Sequence, residues 1–285
     1  MSCPGRHVPI DDTRLWLVER GEGFPIVVLH GGPGLDHHEF GDYLDPIADA
    51  YRLILLDQRS QGRSDRTPEH TWTLERMAQD VIMVARYMGL DRFAVLGHSY
   101  GAFVALQNAI DFPGMAAATI ISSGIPSMRF MDVVEEDLER FEPAELREQV
   151  MASWEREATV QTVEEAAALI RDQWPFHFAN PRDKRIEEYV ARSSGECAPD
   201  VLRHFSVSGY GGIEAVARLP EVTSPTLVLA GRHDRVCTVE AAQVKAGGIA
   251  GAELVVFEES GHMAFVEESE RYVAVVRDFL DRSVA

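Results

Sequence analysis

The chain of 285 residues has little cysteine and little positive charge. Its three cysteines, Cys3, Cys197 and Cys237, are too few and too scattered for a disulfide framework or a structural zinc site. Lysine and arginine number 27 against 46 acidic residues, so the net charge of −19 makes nucleic acid and anionic membranes poor partners. No apolar run approaches the ~18 residues that span a bilayer, and residues 1–10 contain no apolar signal region. These absences predict a cytoplasmic protein and leave its oligomeric state open.

Short apolar runs alternate with helical patterns along much of the chain, in which 46% of the residues are hydrophobic. The runs predict strands over 25–30, 51–56, 93–97, 117–122, 226–231 and 253–257. Several are apolar almost throughout, as expected of strands that are buried on both faces of a parallel sheet. Helical patterns over 73–88 and 102–110 lie between them. This alternation predicts the α/β class.

The alternation stops between about Gly124 and Gly209, where charged helical patterns follow one another. These patterns predict helices over 133–141, 143–157, 162–174 and 182–193, with Pro175 and Pro181 as breaks. We therefore expect a core domain of residues 1–124 and 209–285 and an inserted helical cap of residues 125–208. Such a cap lies over the carboxyl edge of the sheet, where open α/β folds bind ligands.

Residues 97–101 read Gly-His-Ser-Tyr-Gly and stand between a predicted strand and a predicted helix. A sharp strand-to-helix turn crowds its own backbone, so small residues must flank the central serine, and Gly97 and Gly101 meet that need. Such a turn exposes a serine hydroxyl at the top of the sheet. This context predicts that Ser99 is a nucleophile.

A serine hydroxyl needs a base to take its proton and an acid to orient that base. Asp234 follows the first strand after the predicted cap, and His262 follows the last strand, so both reach the same sheet edge as Ser99. His98 and His233 are rival bases, but each is a chain neighbour of a member of this set and diverges from it. The sequence predicts Ser99, His262 and Asp234 as a hydrogen-bonded catalytic chain, in the order nucleophile, acid, base along the sequence.

The oxyanion that forms when Ser99 attacks a carbonyl needs two N–H donors. The backbone of Tyr100 supplies one at the start of a helix. The second is expected from residues 30–34, His-Gly-Gly-Pro-Gly, whose glycines let the backbone approach a substrate closely. We expect Gly32 to be that donor.

These motifs, together with Asp-Gln-Arg at 57–59 and Gly-Arg-Ser at 62–64, resemble the α/β-hydrolase superfamily and, within it, the proline iminopeptidase group. The resemblance covers essentially the whole chain. It implies an α/β-hydrolase fold, with a mostly parallel central sheet flanked by helices and an inserted helical cap. It also implies acyl transfer to water through an acyl-Ser99 intermediate, without metal or cofactor. The serine sets aside the haloalkane dehalogenases and epoxide hydrolases of this fold, which use aspartate.

One departure from that group concerns substrate choice. Its aminopeptidases bind a free amino terminus with acidic residues after the triad aspartate and near the end of the cap. Here Arg235 follows Asp234, and Arg203 stands at the cap position, although Glu196 and Asp200 lie nearby. An arginine at these places repels an ammonium group and suits a carboxylate or carbonyl. The alternative is that Arg235 faces solvent or pairs with a carboxylate of the predicted cap.

We therefore expect a small-molecule or short-peptide substrate that contacts Gly31, Arg203, Arg235 and Trp174. A small carboxylic ester, lactone or amide is the leading class, and an N-terminal peptide bond is the alternative. An anionic acid held by the two arginines is a third option, which fails if either arginine points away from Ser99. A ligand receptor with slow or no turnover is a different class of function, and acyltransferases or cofactor-free haloperoxidases share the same triad.

Two further groups of residues have both structural and binding interpretations. For residues 57–59 we favour a structural role, since an Asp and an Arg so close together tie loops through charge-assisted hydrogen bonds. Aromatic residues of the predicted cap either line an acyl pocket or form the core of the cap: Phe130, Phe141, Trp154, Trp174, Phe176 and Phe178.

Overall fold

The computed structural model describes residues 5–284 and contains an eight-stranded sheet in the order β1-β2-β4-β3-β5-β6-β7-β8. The strands are β1 (Arg6–Pro9), β2 (Arg14–Arg20), β3 (Phe24–Leu29), β4 (Tyr51–Leu56), β5 (Ala94–His98), β6 (Ala118–Ser122), β7 (Thr226–Gly231) and β8 (Glu253–Phe257). Strands β3 to β8 pair in parallel, and β1 and β2 add an antiparallel edge. The predicted α/β class is confirmed.

Strands β3 to β8 match the six predicted strands to within one residue at each end. Strands β1 and β2 were not predicted. Their apolar residues are interrupted by charged ones, and β1 buries only Val8 among its four residues. A short edge strand of this kind lacks the apolar run that marks a strand buried on both faces.

Five helices pack against the sheet. They are α1 (Leu74–Tyr87), α2 (Tyr100–Asp111), α8 (Val239–Gly248), α9 (Ala264–Glu267) and α10 (Ser269–Ser283). Alternate residues of β3 divide between two apolar clusters, because successive side chains of a strand point to opposite faces. Val27 and Leu29 join α1 and α2 on one face, whereas Ile26 and Val28 join α9 and α10 on the other.

Residues 125–208, all within the described part of the chain, form helices and one isolated bridge but no strand. The α-helices are α3 (Asp132–Glu139), α4 (Ala144–Glu157), α5 (Val163–His177), α6 (Arg185–Arg192) and α7 (Pro199–Val207). A separate apolar cluster joins α3, α4 and α5 through Val134, Phe141, Val150 and Phe176. This segment therefore has a small core of its own.

Two details of this segment differ from the prediction. Helix α7 was not predicted, and α5 continues through Pro175 to His177. Pro175 lies in the last turn of α5, where the loss of one backbone N–H removes a single hydrogen bond. The Phe178 N–H still reaches the Trp174 carbonyl at 3.2 Å, so the helical turn closes beyond the proline.

Among residues 5–284, no helix is long and apolar enough to cross a membrane. Cys197 and Cys237 are buried free thiols, and Cys3 lies outside the described residues.

Candidate active site

Ser99 occupies the sharp turn between β5 and α2. Its backbone has φ 53° and ψ −120°, a conformation that non-glycine residues rarely adopt. A Cβ on Gly97 would overlap the Gly101 carbonyl, and one on Gly101 would overlap the carbonyls of Leu29 and His30. The two glycines are therefore required by close backbone packing, as the sequence predicted.

Hydrogen bonds hold this strained turn in place. The Ser99 N–H donates to the Ser122 carbonyl of β6 at 2.9 Å, and the Ser99 carbonyl accepts from the Ala102 N–H at 2.9 Å. Ser99 remains partly exposed while His98 and Tyr100 on either side are buried. The turn thus leaves the Ser99 side chain accessible from the cavity above the sheet.

His262 and Asp234 form a buried pair at the same sheet edge. His262 Nδ1 lies 2.9 Å from Asp234 Oδ2, and both side chains are almost fully inaccessible to solvent. The other carboxylate oxygen, Oδ1, accepts the backbone N–H groups of Val236 at 2.9 Å and Cys237 at 2.8 Å. The backbone N–H of His262 donates to the His177 carbonyl at 2.7 Å. Both members of the pair are held by backbone as well as by each other.

The pair also sets the protonation of its members. Burial alone would lower the pKa of His262, but the Asp234 carboxylate beside it raises that pKa well above the ordinary value of 6.5. Burial alone would raise the pKa of Asp234, yet His262 and the backbone donors hold it below 3.8. Asp234 is therefore ionised, and it favours the imidazolium form of His262.

Ser99 and His262 line the same cavity, yet no hydrogen bond joins their side chains among the described residues. The expected chain is thus present as the His262–Asp234 pair, and its link to Ser99 is not formed in this structure. A serine hydroxyl rotates freely about one bond, and such contacts often tighten only when substrate is bound.

The two rival histidines lie elsewhere. His98 is buried beneath the cavity, where its ring packs 4.9 Å from that of His262 and 5.0 Å from that of Phe265. Burial lowers its pKa well below 6.5. His233 is exposed on the surface. Neither residue lines the cavity with Ser99.

Gly32 and Tyr100 both line the cavity beside Ser99. Tyr100 is the first residue of α2, so its N–H has no partner within the helix. The Gly32 N–H has no hydrogen-bond acceptor within residues 5–284. Two backbone donors are therefore free on this side of the cavity, and the φ of 104° at Gly32 suits glycine.

Gly31, which was expected to contact the substrate, has a structural role in the loop after β3. Its N–H donates to Glu39 Oε2 at 2.5 Å, so it is not free for a substrate. A Cβ on Gly31 would come within 2.9 Å of the Ser99 Cβ and 2.7 Å of Glu39 Oε1. Gly31 is therefore needed for close packing of the Gly32 loop against the nucleophile.

Residues 125–208, the segment predicted as a cap, supply much of the opposite wall of the cavity. The lining residues from this segment are Met131, Trp154, Glu157, Ile170, Gln173, Trp174, His177 and Leu202. The cap aromatics divide between the two interpretations. Trp154 and Trp174 line the cavity, whereas Phe141 and Phe176 belong to the apolar cluster of the cap. Phe130 and Phe178 belong to the two main clusters beside the sheet.

The expected contacts of Arg203 and Arg235 with substrate need correction, since neither residue lines the cavity. Arg235 donates to the carbonyls of Phe176, Phe178 and Ala179 at 2.8 to 3.1 Å. Its guanidinium also lies 5.1 Å from the ring of Phe141. Arg235 therefore fastens the end of α5 to the core.

Arg203 likewise donates to the Val160 carbonyl within the cap. With both arginines engaged by carbonyls, the option of an anionic substrate held between them fails. The acidic residues named as substitutes also lie outside the Ser99 cavity, because Glu196 pairs with Arg63 at 3.2 Å and Asp200 is not a lining residue.

Of the glutamate, histidine and cysteine residues that line the cavity, four were not predicted from the sequence: Glu39, Glu157, His177 and Cys237. Glu39 and Glu157 are buried and have no cationic partner among the described ion pairs. Burial raises the pKa of Glu39 to about 7 and also raises that of Glu157. Neither glutamate belongs to a recognisable motif. A lone glutamate in a loop or on a charged helix is ordinarily solvated, so the sequence gives no signal that either one is buried in a cavity. Only its position three residues after Asp234 could have drawn attention to Cys237.

Residues 57–59 have the structural role that we favoured. Arg59 is completely buried and forms paired hydrogen bonds with Asp80 at 2.7 and 2.8 Å and with Asp12 at 3.0 Å. Asp57 accepts hydrogen bonds from the backbone N–H of His37 and of Arg63, both at 2.9 Å. The motif thus ties together the loops that follow β3 and β4.

Within the described residues 5–284, two clusters have three ligand-type atoms within 4.8 Å of one another. The first is Asp36, His37 and His38, and the second adds Cys237 to the His262–Asp234 pair. In both, carboxylates already accept hydrogen bonds from histidine rings and backbone N–H groups. The absence of a metal from the reaction stays a prediction.

Comparisons with known proteins agree with this geometry. The family model described as the alpha/beta hydrolase fold matches residues 25–269. A proline iminopeptidase of Heyndrickxia coagulans is 30% identical over 271 residues, which cover 92% of each chain.

Among solved structures, an alpha/beta fold family hydrolase from Bacillus anthracis superposes with a TM-score of 0.82 at 21% identity. The match covers 98% of this chain and 100% of that one. An esterase from Exiguobacterium antarcticum reaches a TM-score of 0.77 at 22% identity, with coverage of 98% and 100%. At these identities the two structures show a shared fold.

Proposed function

The chain belongs to the α/β-hydrolase fold family, and we propose that it is a serine hydrolase that cleaves a small carboxylic ester, lactone or amide. The resemblance to proline iminopeptidases that the motifs indicated is confirmed by the relatives, and the hydrolase fold is confirmed as well. One observation carries the proposal. A strained, partly exposed Ser99 shares a cavity with His262, which is paired with the buried Asp234, and with two free backbone donors.

The first half-reaction acylates the enzyme. Ser99 Oγ attacks the substrate carbonyl carbon while His262 Nε2 takes the hydroxyl proton. Asp234 fixes the Nδ1–H tautomer and stabilises the imidazolium that forms. The N–H groups of Gly32 and Tyr100 bind the oxyanion. The tetrahedral intermediate collapses, the bond to the leaving group breaks, and His262 returns the proton to that group.

The second half-reaction restores the enzyme. His262 takes a proton from water, whose oxygen attacks the acyl carbon, and the bond to Ser99 Oγ breaks as the serine regains its proton. The products are the carboxylic acid and the alcohol or amine, which for a lactone are the two ends of one hydroxy acid. Each step uses groups of this chain and water alone.

We propose that residues 125–208 act as the cap that selects the substrate, with Trp174 in its wall. Helices α4, α5 and α7 of this segment each contribute residues to the cavity lining, and this supports the proposal. A cytoplasmic location remains our proposal as well, supported by the buried free thiols of Cys197 and Cys237.

Hydrolysis of p-nitrophenyl acetate by the native protein and by Ser99→Ala tests the proposal. We expect turnover that disappears in the variant while its circular dichroism and melting temperature stay unchanged. If neither this ester nor prolyl-p-nitroanilide is turned over in a Ser99-dependent way, a ligand receptor replaces the hydrolase as the better interpretation.

A second candidate is an aminopeptidase like the curated relatives. The cavity contains two buried carboxylates, Glu39 and Glu157, and no lysine or arginine of residues 5–284 lines it. Gln173 donates to Glu157 Oε1 at 2.6 Å, and the Tyr210 hydroxyl donates to Oε2 at 3.1 Å. A substrate ammonium group would supply the missing positive charge. These glutamates stand at other positions than the acidic residues that Arg203 and Arg235 replace.

The ratio of kcat/KM for prolyl-p-nitroanilide to that for p-nitrophenyl acetate tests this candidate. If Glu157 binds an ammonium group, Glu157→Gln lowers the ratio by roughly tenfold or more, since hydrogen bonds to charged groups contribute about 1.5–3 kcal/mol. Asp200→Asn, a cap acid outside the cavity, is the matched control. An unchanged ratio in Glu157→Gln excludes the assignment.

A further inference from the structure

The backbone at His262 is held from both sides. His262 lies in the loop of residues 258–263, between β8 and α9. Its N–H donates to the His177 carbonyl at 2.7 Å, and its carbonyl accepts from the Ser123 hydroxyl at 3.1 Å. Only two rotatable bonds separate a histidine ring from its backbone. These backbone contacts therefore help to determine where the imidazole lies relative to Ser99.

One buried carboxyl group connects the two stretches of chain that meet at this contact. It belongs to Glu267, the last residue of α9. Its Oε2 accepts the Gly261 N–H and its Oε1 accepts the Ala179 N–H, both at 2.8 Å. Gly261 directly precedes His262, and Ala179 lies two residues after His177. Each oxygen of Glu267 therefore holds one side of the contact between His262 and His177.

Close backbone packing couples the same two stretches. A Cβ on Gly261 would come within 2.5 Å of the His177 carbonyl oxygen and 2.7 Å of the Ala179 nitrogen. The contact is thus made by backbone atoms, with no room for a side chain between them. Loss of either hydrogen bond to Glu267 would allow residues 261–262 to shift relative to residues 177–179.

The bridge needs the ionised form of Glu267. A carboxylate accepts hydrogen bonds at both oxygens, whereas a protonated carboxyl group points an O–H at one of the two N–H groups. Burial raises the pKa of Glu267 to about 7, and the two backbone donors oppose that rise. The charged side chains near it are Arg185, Asp183 and Arg235. The bridge is therefore largely complete at about pH 8.

Glu267 has no step of its own in the proposed reaction, and it does not line the Ser99 cavity. We propose that Glu267 is a positioning residue for the catalytic base, because its carboxylate holds the loop before His262 against residues 177–179. The imidazole then stays beside Ser99 in both half-reactions. This inference rests on the serine hydrolase function proposed above, and it adds a residue on which the reaction depends without contact to the substrate.

Glu267→Gln tests the proposal, because glutamine keeps the size of the side chain but offers an acceptor to only one of the two N–H groups. A displacement of about 1 Å in a site can cost roughly a hundredfold in rate. We expect kcat for p-nitrophenyl acetate at about pH 8 to fall by roughly tenfold to a hundredfold. KM should change by less than about threefold, since both half-reactions use His262 and the cavity lining keeps its residues.

Glu19→Gln is the matched control. Glu19 lies on β2 and outside the cavity, and its two oxygens accept from Arg6 at 2.8 Å and from Arg52 at 2.6 Å. Its replacement also changes a carboxylate that has a donor on each oxygen, yet it should leave kcat and KM unchanged. Melting temperatures of both variants would show whether they are folded to the same extent.

Glu267→Asp is a second variant, which keeps the charge but is one methylene too short to reach both N–H groups. It should also lower kcat with little change in KM. Ser99-dependent turnover with an unchanged kcat in both variants overturns this inference alone, and so does a change confined to KM. Failure of both variants to fold overturns it too, since Glu267 would then serve the fold. If the native protein shows no Ser99-dependent turnover of the ester, the hydrolase proposal and this inference both fail.

Discussion

The two walls of the Ser99 cavity are built differently. On the sheet side, Ser99, Gly32 and His262 stand where strands end, and backbone hydrogen bonds and forced glycine conformations fix them. On the cap side, Glu157 and Trp174 project from helices that are held by side-chain packing. The first wall is defined by local backbone geometry and the second by which helix faces meet. We therefore expect changes on the sheet side to remove chemistry and changes on the cap side to alter selection and stability.

The largest effect should come from the nucleophile. Ser99→Ala should lower kcat by about five to six orders of magnitude, as when one member of a cooperating triad is removed. Ser60→Ala is a matched control, since Ser60 is another buried serine with positive φ, 62°, and lies outside the cavity. Steady-state kinetics with p-nitrophenyl acetate would measure both. Comparable losses in the two variants would mean that the fold, rather than the nucleophile, had been damaged.

Asp234→Asn should lower kcat/KM by about ten-thousandfold, because the tautomer of His262 is no longer fixed. The carboxylate raises the pKa of His262, and catalysis needs the neutral imidazole, so activity rises as pH rises through that pKa. Without the carboxylate the pKa falls, and the rise in kcat/KM should move to lower pH. Asp36→Asn, a buried aspartate that also contacts a histidine, should leave the pH profile in place. An unshifted profile in Asp234→Asn would contradict the pairing.

Glu39 stands at the border between the two walls and should show its position in the pH dependence of stability. Burial raises its pKa from 4.5 to about 7, so the folded state holds the proton more tightly than the unfolded chain. The free energy of unfolding contributed by this group is therefore greatest at low pH and is lost as pH rises from about 4.5 to about 7.

Glu39→Gln should remove that loss. The variant should exceed the wild type in free energy of unfolding at about pH 8 by up to roughly 3 kcal/mol, and the gain should shrink towards about pH 4. Urea denaturation at the two pH values would measure it. Glu196→Gln, an exposed glutamate, should show no such pH-dependent gain. A variant that is equally destabilised at both pH values would show that the bond to Gly31 requires the carboxylate.

The smallest effect on the free energy of unfolding should come from Arg235, which links the end of α5 to the core. Arg235→Met removes three hydrogen bonds to cap carbonyls and should lower the free energy of unfolding by about 1–3 kcal/mol. Turnover of a small ester should change little. The exposed neighbour Arg232, which pairs with Glu258, is the control, and Arg232→Met should cost less than about 1 kcal/mol. A large fall in kcat/KM without a loss of stability would return Arg235 to the substrate site.

The sequence alone determined the sheet-side wall. Ser99, Gly32, Tyr100, Asp234 and His262 could be located because a strand-to-helix turn, a glycine loop and the ends of parallel strands are local features of the chain. A position that requires glycine, or that follows a buried strand, constrains the residue types beside it. The six strands buried on both faces were predictable for the same reason, whereas the short edge strands β1 and β2 were not.

Only the tertiary structure decided the cap-side wall. An amphipathic helix pattern shows that a helix forms but not which partner each side chain meets. Arg203 and Arg235 donate hydrogen bonds to backbone carbonyls, whereas Glu39 and Glu157 line the cavity. Long flexible side chains can satisfy their charge in several directions, and the surrounding packing chooses among them. The position of the proposed chemistry was therefore determined by the sequence, and packing between helices decided which groups a substrate meets.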